Sequence, residues 1–351
     1  MDKILTIIIP TYNMEKYLRK CLDSLIVQDE LMEKVEVLII NDGSKDSSSQ
    51  IAHEYEKKWN QTFRVIDKEN GNYGSCVNRG LAEAKGKYVK ILDSDDYFSD
   101  EFDKYLTSLC DINADIVITD FDLINAADEI EVSVTCNLEP RKYLSFNDIY
   151  KSDYLLNIEM HSITYLRENL IKMNYKQTEG ISYTDQEWSF MPMIGINNLY
   201  YIPITLYKYY IGRPGQTVEV STFYKNIRQN FDVLRNTVEF YFLNRANAEN
   251  YKSEYLYRRL CNRIDNLYKK YLLDKTSLKE EISDFYIFED YLKERYPQLY
   301  KDSLDYCIFD KKIPFHYLKE WNRNKNSCVL KIMTQMHSVL LHLRKIKARL
   351  R

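Results

Sequence analysis

The sequence predicts an α/β fold, a mostly parallel sheet flanked by helices, followed by a mainly helical carboxyl-terminal region. Three observations carry this. Short apolar runs of strand length alternate with stretches whose apolar residues recur at helical spacing, the pattern of successive βαβ units. The runs are continuously aliphatic, as in strands covered on both faces. From Phe223 onward helical spacing persists while glycine and proline become rare.

The elements follow in order. Residues 4–9 are β-branched and aliphatic up to Pro10, a buried strand, and Pro10-Thr11-Tyr12-Asn13 is the loop at its carboxyl end. Tyr17, Leu18, Cys21, Leu22, Leu25 and Ile26 mark a helix. Residues 35–40 form the second strand, which runs into Asn41-Asp42-Gly43-Ser44. Ile51, Tyr55 and Trp59 mark a helix, residues 63–66 a short strand, and Asn70-Gly71 opens a helix through Val77, Leu81 and Ala84 that Gly86 ends. The strand over 88–92 then meets three carboxylates in Asp93-Ser94-Asp95-Asp96. Another strand covers 116–120, a β excursion or irregular connection covers 128–147, and 150–173 carries helical periodicity. Residues 183–191 read as a loop entering a helix, 199–202 and 206–210 as aromatic strands around Pro203, and 213–217 as a turn. The domain boundary is placed near 222, giving units of 1–222 and 223–351.

Composition narrows the function. At 351 residues the chain can build a large core, and 45% hydrophobic with 29% charged residues is ordinary for a folded protein. A net charge of -3 excludes a nucleic-acid binder that works by bulk charge. Seven cysteines without a CxxC pair fit a reducing, cytoplasmic setting and no structural zinc. The opening apolar run is too short for a signal peptide, and no run reaches the roughly 20 residues that cross a bilayer. The 31 tyrosines suit contact with sugars, partners or a membrane boundary.

Asp93, Asp95 and Asp96 stand so close that they raise one another's pKa unless a cation neutralises them. Hard oxygen ligands at a strand end suit Mg2+ or Mn2+, which keeps waters and recruits substrate phosphates. The plainer reading is that one of these side chains caps a helix. In an open parallel sheet ligands bind outside the carboxyl ends of the strands, and there the Thr11, Asp42 and Asp93 loops converge on one crevice.

The ordered set of residues 8–13, 37–44, Asn70-Gly71, Asn78-Arg79-Gly80-Leu81, 86–89 and 92–96 resembles the family 2 glycosyltransferases of the GT-A (Rossmann-like) fold, the bacterial cell-surface polysaccharide type. The resemblance is dense over about the first 120 residues and thins toward 222. It implies that Pro10, Thr11 and Tyr12 line the nucleotide base pocket and that Asp42 accepts a hydrogen bond from the base, most often uracil. It also implies that Asp93 holds the ribose, Asp95 binds the metal bridging the donor diphosphate, Asp96 braces the loop, and Asn78 shapes the pocket. The family often places arginine just before that asparagine. Here it is Val77, so any such contact must come from elsewhere, with Arg79 the nearest substitute.

Sugar transfer from a nucleotide diphosphate needs its leaving group neutralised, which a metal does as a Lewis acid. It also needs a carboxylate to deprotonate the attacking hydroxyl. The family's acid pair before an aromatic residue corresponds here to Thr184-Asp185-Gln186-Glu187-Trp188. Asp185 is therefore the candidate base, with Glu187 next and Glu179 third, and a helix cap is the alternative for Thr184 or Asp185. Trp188 is read as an acceptor-stacking ring or a buried one. Arg213 is read as a diphosphate ligand or a solvated turn residue. His161 is read as an acceptor-side group or a structural one. The processive-synthase signature QxxRW is absent, which implies one sugar added per visit.

The last helix alternates Val329, Ile332, Met333, Met336, Val339, Leu340, Leu343 and Ile346 with Lys331, Arg344, Lys345, Lys347, Arg349 and Arg351. An apolar face beside a basic end fits a helix lying on the inner face of an anionic membrane. A packed terminal helix or a homodimer contact is the other reading. The expected function is thus an inverting, Mn2+- or Mg2+-dependent glycosyltransferase. It would take a nucleotide-diphosphate sugar, a UDP-sugar, to a cell-surface glycan or lipid-linked acceptor. Its rivals are a catalytically degenerate nucleotide-sugar-binding partner of another transferase and a sugar-phosphate nucleotidyltransferase. The second opens with a glycine-rich loop, whereas here no glycine precedes Gly43.

Overall fold

The computed structural model describes residues 2–213, 215–216, 219–273, 282–310, 313–324 and 328–349. They fall in two compact units, Met1–Gln216 and Thr217–Arg351, dividing a few residues ahead of the boundary expected at 222. Of the expected turn, Pro214 and Thr217 lie outside the described residues, as does Arg351.

The first unit is built on one sheet. Its strands are β1 (Leu5–Thr11), β2 (Val35–Asn41), β3 (Phe63–Asp67), β4 (Tyr88–Ile91), β5 (Tyr97–Phe98), β6 (Ile116–Ile124), β7 (Ile130–Val134), β8 (Tyr143–Ser145), β9 (Ile163–Leu166) and β10 (Asn198–Tyr210). The order is β3-β2-β1-β4-β9-β6-β10-β5, with β7 beside β6 and β8 beside β10. β1 pairs in parallel with both β2 and β4, and β2 with β3. Every residue of β1 and β2 is buried, which explains their unbroken aliphatic character. The helices Ser48–Lys58 and Asn72–Glu83 make the crossovers, turning Ile51, Ala52, Cys76 and Val77 into the core.

The chain lays β1, β2 and β3 outward in one direction, then returns to place β4 on the other side of β1. The carboxyl ends of β1 and β4 therefore flank the point where strand order reverses, where a crevice opens in such sheets. The Thr11 and Asp93 loops leave from those two strands.

Three expectations are corrected. The 150–173 stretch is not simply helical: β9 lies in it, antiparallel between β4 and β6, with the short helices Asp153–Leu156 and Arg167–Lys172 on either side. A four-residue strand is too brief to break a helical spacing. The two aromatic strands are one, β10, whose register shifts between Tyr201 and Thr205. Pro203, which has no N–H for the ladder, is exposed at that irregularity. Gly86 does not end the preceding helix, which stops at Glu83 with Ala84 already extended. Its role is close approach: a Cβ there would lie 2.3 Å from the Thr6 nitrogen. The Gly86 N–H donates to Thr6 Oγ1 at 2.8 Å.

Among the described residues, the second unit is helical apart from the antiparallel strands Ile308–Asp310 and Ile313–Phe315. The longer helices are Ile227–Asn244, Asn250–Leu273, Ile282–Arg295 and Cys328–Arg349. Tyr255, Leu260, Ile264 and Tyr268 are fully buried, so their stripe is core. Phe231 packs on Phe285 and Phe288 with ring centroids 4.8 and 5.1 Å apart. Among the described residues, no helix is long and apolar enough to cross a membrane.

Gly86→Ala drives a methyl group into the β1 backbone, which cannot yield without disturbing the central ladder. We expect a loss of about 1–3 kcal/mol in urea unfolding.

Candidate functional site

The three carboxylates after β4 each have a different partner. Asp96 is buried and accepts from Tyr207 Oη at 2.6 Å and from the Tyr210 backbone N–H at 2.8 Å, both on β10. Burial first, and then Asp95 and Asp93, hold its pKa well above the ordinary value. Asp93 Oδ1 accepts from Tyr73 Oη at 2.8 Å, and the Asp93 N–H donates to Tyr207 Oη at 3.1 Å. Burial, followed by the Asp95 charge, pushes the Asp93 carboxyl up to about 7. Asp95 is paired with a cation: Arg213 Nε lies 2.7 Å from its Oδ2, both side chains largely buried. The Arg213 guanidinium also lies 5.8 Å from the centroid of the Tyr17 ring. Two residues singled out 118 positions apart thus meet directly.

The candidate bases separate cleanly. Asp185 and Glu187 sit on one short helix, Asp185–Trp188. Side chains two positions apart on a helix point in different directions. Glu187 faces inward and is wholly buried, its oxygens taking the Thr178 N–H and hydroxyl at 2.7 Å each. Glu187, the second candidate base, thus braces the Thr178 segment. Asp185 is half-buried, and its negative charge adds to burial, the main cause, in raising the pKa of Asp93, Tyr73 and Tyr209. It therefore lies toward the acidic loop. Two residues before Asp185, Tyr183 is held at φ 66°, a conformation bulky residues seldom adopt outside a tightly determined setting. Glu179 is exposed and accepts from Asn78 Nδ2 at 2.8 Å.

Asn78 does its work by holding that segment. Its amide exchanges two hydrogen bonds with Gln177, to the carbonyl and from the N–H, both at 2.8 Å. Gly74, one turn earlier on the same helix, lets Thr178 approach: a Cβ there would stand 1.9 Å from the Thr178 carbonyl oxygen. Helix Asn72–Glu83 thereby fixes the chain that leads to Asp185.

At the other side of the crevice Asp42, 3% exposed, accepts at Oδ1 from Lys68 Nζ at 2.5 Å and from the Gly71 N–H at 2.9 Å. Lys68 also donates to Ser75 Oγ at 2.9 Å. The cation near Asp42 is thus Lys68. Arg79, the substitute suggested for Val77, is exposed and pairs with Glu83 at 3.0 Å instead, while Val77 is buried. Of the three residues expected to line the base pocket, Pro10 and Thr11 are buried and Tyr12 is 47% exposed. The Thr11 hydroxyl turns back to the Ile9 carbonyl at 3.2 Å.

Trp188 and His161 are both internal. Trp188 is fully buried between Tyr165 and Tyr175, with centroids at 5.0 and 5.8 Å, so it presents no face to an acceptor. His161 stacks on Tyr209 at 4.3 Å with Phe121 and Tyr207 about it. Its carbonyl accepts from Lys90 Nζ at 2.8 Å, as the Ile163 carbonyl does at 3.1 Å. Sequence reasoning passed over Lys90 and Lys68. Lys90 had a signal, a lysine inside an apolar strand. Lys68 had none, since a lysine after a strand is commonplace.

Among the described residues, no three His, Cys, Asp or Glu side chains converge as a metal cage. The donor set fits a different kind of site. Asp96 and Asp93 are committed to tyrosines, and Asp95 offers a hard oxygen toward a cation, as Mg2+ or Mn2+ shared with phosphates requires.

Residues 6–172 match the family described as "Glycosyl transferase family 2". The uncharacterized glycosyltransferase MG025 homolog of Mycoplasma pneumoniae is 47% identical over 97 residues, 27% of this chain and 32% of its own length. The uncharacterized glycosyltransferase YibD of Escherichia coli is 27% identical over 241 residues, 67% of this chain and 68% of its own. The chain spans from about a third to about three fifths of the length of the first curated relatives it matches. Among solved structures, S. aureus TarS 1-349 in complex with UDP-GlcNAc superposes with a TM-score of 0.63 at 20% identity, covering 85% of this chain and 83% of that one. The shared fold is the GT-A arrangement.

Two outcomes test these assignments. Glu187→Ala strands the Thr178 N–H and hydroxyl, for an expected loss of about 1–3 kcal/mol, whereas Asp185→Asn stays within about 0.5 kcal/mol by thermal melting. Burial pushes Lys90 down from 10.5 to about 7. Below that pH both folded and unfolded chains hold the proton, and above it the folded chain sheds it first. Its contribution therefore makes stability rise with pH above 7, by up to about 1.4 kcal/mol per unit. Subtracting the urea-derived stability of Lys90→Met from that of the wild type between pH 7 and 9 should show this slope.

Proposed function

We propose that the chain is an inverting, metal-dependent glycosyltransferase that moves a sugar from a UDP-sugar to a cell-surface glycan or lipid-linked acceptor. The observation that carries this is the meeting of Asp95, Arg213, Asp93 and the Asp185 helix at the point where the sheet's strand order reverses. Transfer of this kind develops negative charge on a leaving diphosphate and a proton on the attacking oxygen, and the crevice has one feature for each.

Tyr12 at the mouth and Asp42 with Lys68 below it form the nucleoside end. Asp93, steadied by Tyr73, takes the ribose hydroxyls. Asp95 would hold Mn2+ or Mg2+, which supplies charge neutralisation to the diphosphate when bound. Arg213 leaves Asp95 for the diphosphate oxygens and donates to them in the bidentate manner of a guanidinium. Asp185 accepts the acceptor hydroxyl's proton as that oxygen attacks the anomeric carbon. The new carbon–oxygen bond forms on the face opposite the breaking one, and the nucleoside diphosphate leaves with the bonding pair. Attack from that face inverts the configuration. The relative crystallised with UDP-GlcNAc supports a uridine nucleotide, on fold likeness. A lipid-linked acceptor would place this work at the inner face of a membrane.

A panel of nucleotide sugars with Mn2+ or Mg2+ tests the reading. We expect metal-stimulated hydrolysis of a UDP-sugar, lowered at least a hundredfold in Asp95→Ala. In Asp185→Asn we expect donor binding to persist while transfer to acceptor falls by about 10²–10⁴. Binding of no nucleotide sugar would overturn the assignment.

A further inference from the structure

The helix Cys328–Arg349 belongs to the second unit. Its inner face is settled: Leu330, Thr334 and His337 are buried. His337 stacks on Phe315 at 4.5 Å and is hydrogen-bonded by Tyr317 Oη. The outer face is not polar. Val329, Ile332, Met336 and Val339 are 50, 50, 46 and 58% exposed. Their spacing of three, four and three residues puts all four on one stripe. Four large apolar side chains in line on an exposed face is more than the scattered exposure usual for a monomer.

Charge indicates what covers the stripe. Residues 328–351 contain six lysines and arginines (Lys331, Arg344, Lys345, Lys347, Arg349, Arg351) and no aspartate or glutamate, in a chain whose net charge is -3. The side chains from 341 onward lie outside the described residues, so this count is of the sequence. A second copy of the same helix would bring six positive charges against six, whereas an anionic lipid surface complements them.

We propose that this helix is a membrane-surface anchor. It lies in the interface of an anionic bilayer with Val329, Ile332, Met336 and Val339 immersed, drawn there by the segment's positive charge. This stands apart from the reading of the crevice, since it requires no donor, metal or acceptor.

Co-sedimentation of the full chain with vesicles tests it. The wild type should bind phosphatidylglycerol–phosphatidylcholine vesicles, release them as salt is raised, and ignore phosphatidylcholine alone. Ile332→Asp with Met336→Asp should weaken binding on the order of tenfold or more, with an unchanged thermal melt because both positions are exposed. Val329→Ser with Val339→Ser, a milder pair, should weaken it less. Equal vesicle binding by wild type and both variants would overturn the proposal. So would a wild-type dimer in sedimentation velocity that the aspartates split without any change in vesicle binding.

Discussion

Three carboxylates within four residues cannot share a buried loop unless each is given its own neutralising partner, and the first unit is arranged around that constraint. Asp96 is held by a tyrosine hydroxyl and a backbone N–H of β10. Asp93 is held by Tyr73 from the helix after β3. Asp95 has the full positive charge of Arg213. The partners come from both ends of the unit, so the loop is tied to β10 and to the Asn72–Glu83 helix together. A buried carboxylate that lost its donor would carry a desolvation penalty of several kcal/mol, which makes the loop's shape strongly determined. Tyr207 is the shared element, since its one hydroxyl donates to Asp96 and accepts from the Asp93 N–H.

The same economy holds on the other wall. Asn78, Gly74 and Glu187 each fix the chain between 177 and 187, by amide pairing, by absence of a side chain, and by a buried carboxylate. None of them meets solvent in a way suited to proton transfer. Asp185, on the same short helix, is near enough for its charge to act on Asp93. Residues that look alike in sequence, two acids on one turn, are thus divided by burial, Glu187 wholly buried and Asp185 half-buried.

What could be read from the sequence follows from how local each signal is. β1, β2 and the loops at their ends were legible because two-sided burial writes itself as an aliphatic run and the next polar residue marks its end. The acidic loop was legible because its carboxylates are adjacent. β9 was not, because its four residues owe their strand state to β4 and β6 on either side. Nor was Lys68 beside Asp42, a pairing made only when β2 and β3 align. Glu187 stood second to Asp185 as a base because its burial depends on Thr178, which no spacing rule reaches. Gly86 was read as a helix stop by its position, when the reason for glycine there lies across the sheet in Thr6.

The Arg213–Asp95 pair bears on how the crevice meets a ligand. A guanidinium and a carboxylate at 2.7 Å, both largely out of water, attract more strongly than an exposed pair. On the proposed reading, a cation that takes Asp95 Oδ2 displaces Arg213 from that oxygen and leaves the guanidinium in need of a new anionic partner. An anion arriving with the cation restores the balance at both positions at once, whereas either alone leaves one charge unmatched. On that reading the pair would favour joint entry of a divalent cation and a polyanion over either singly. This coupling needs no moving element beyond one side chain, because Asp93 and Asp96 are already fixed by tyrosines and only Asp95 exchanges its partner.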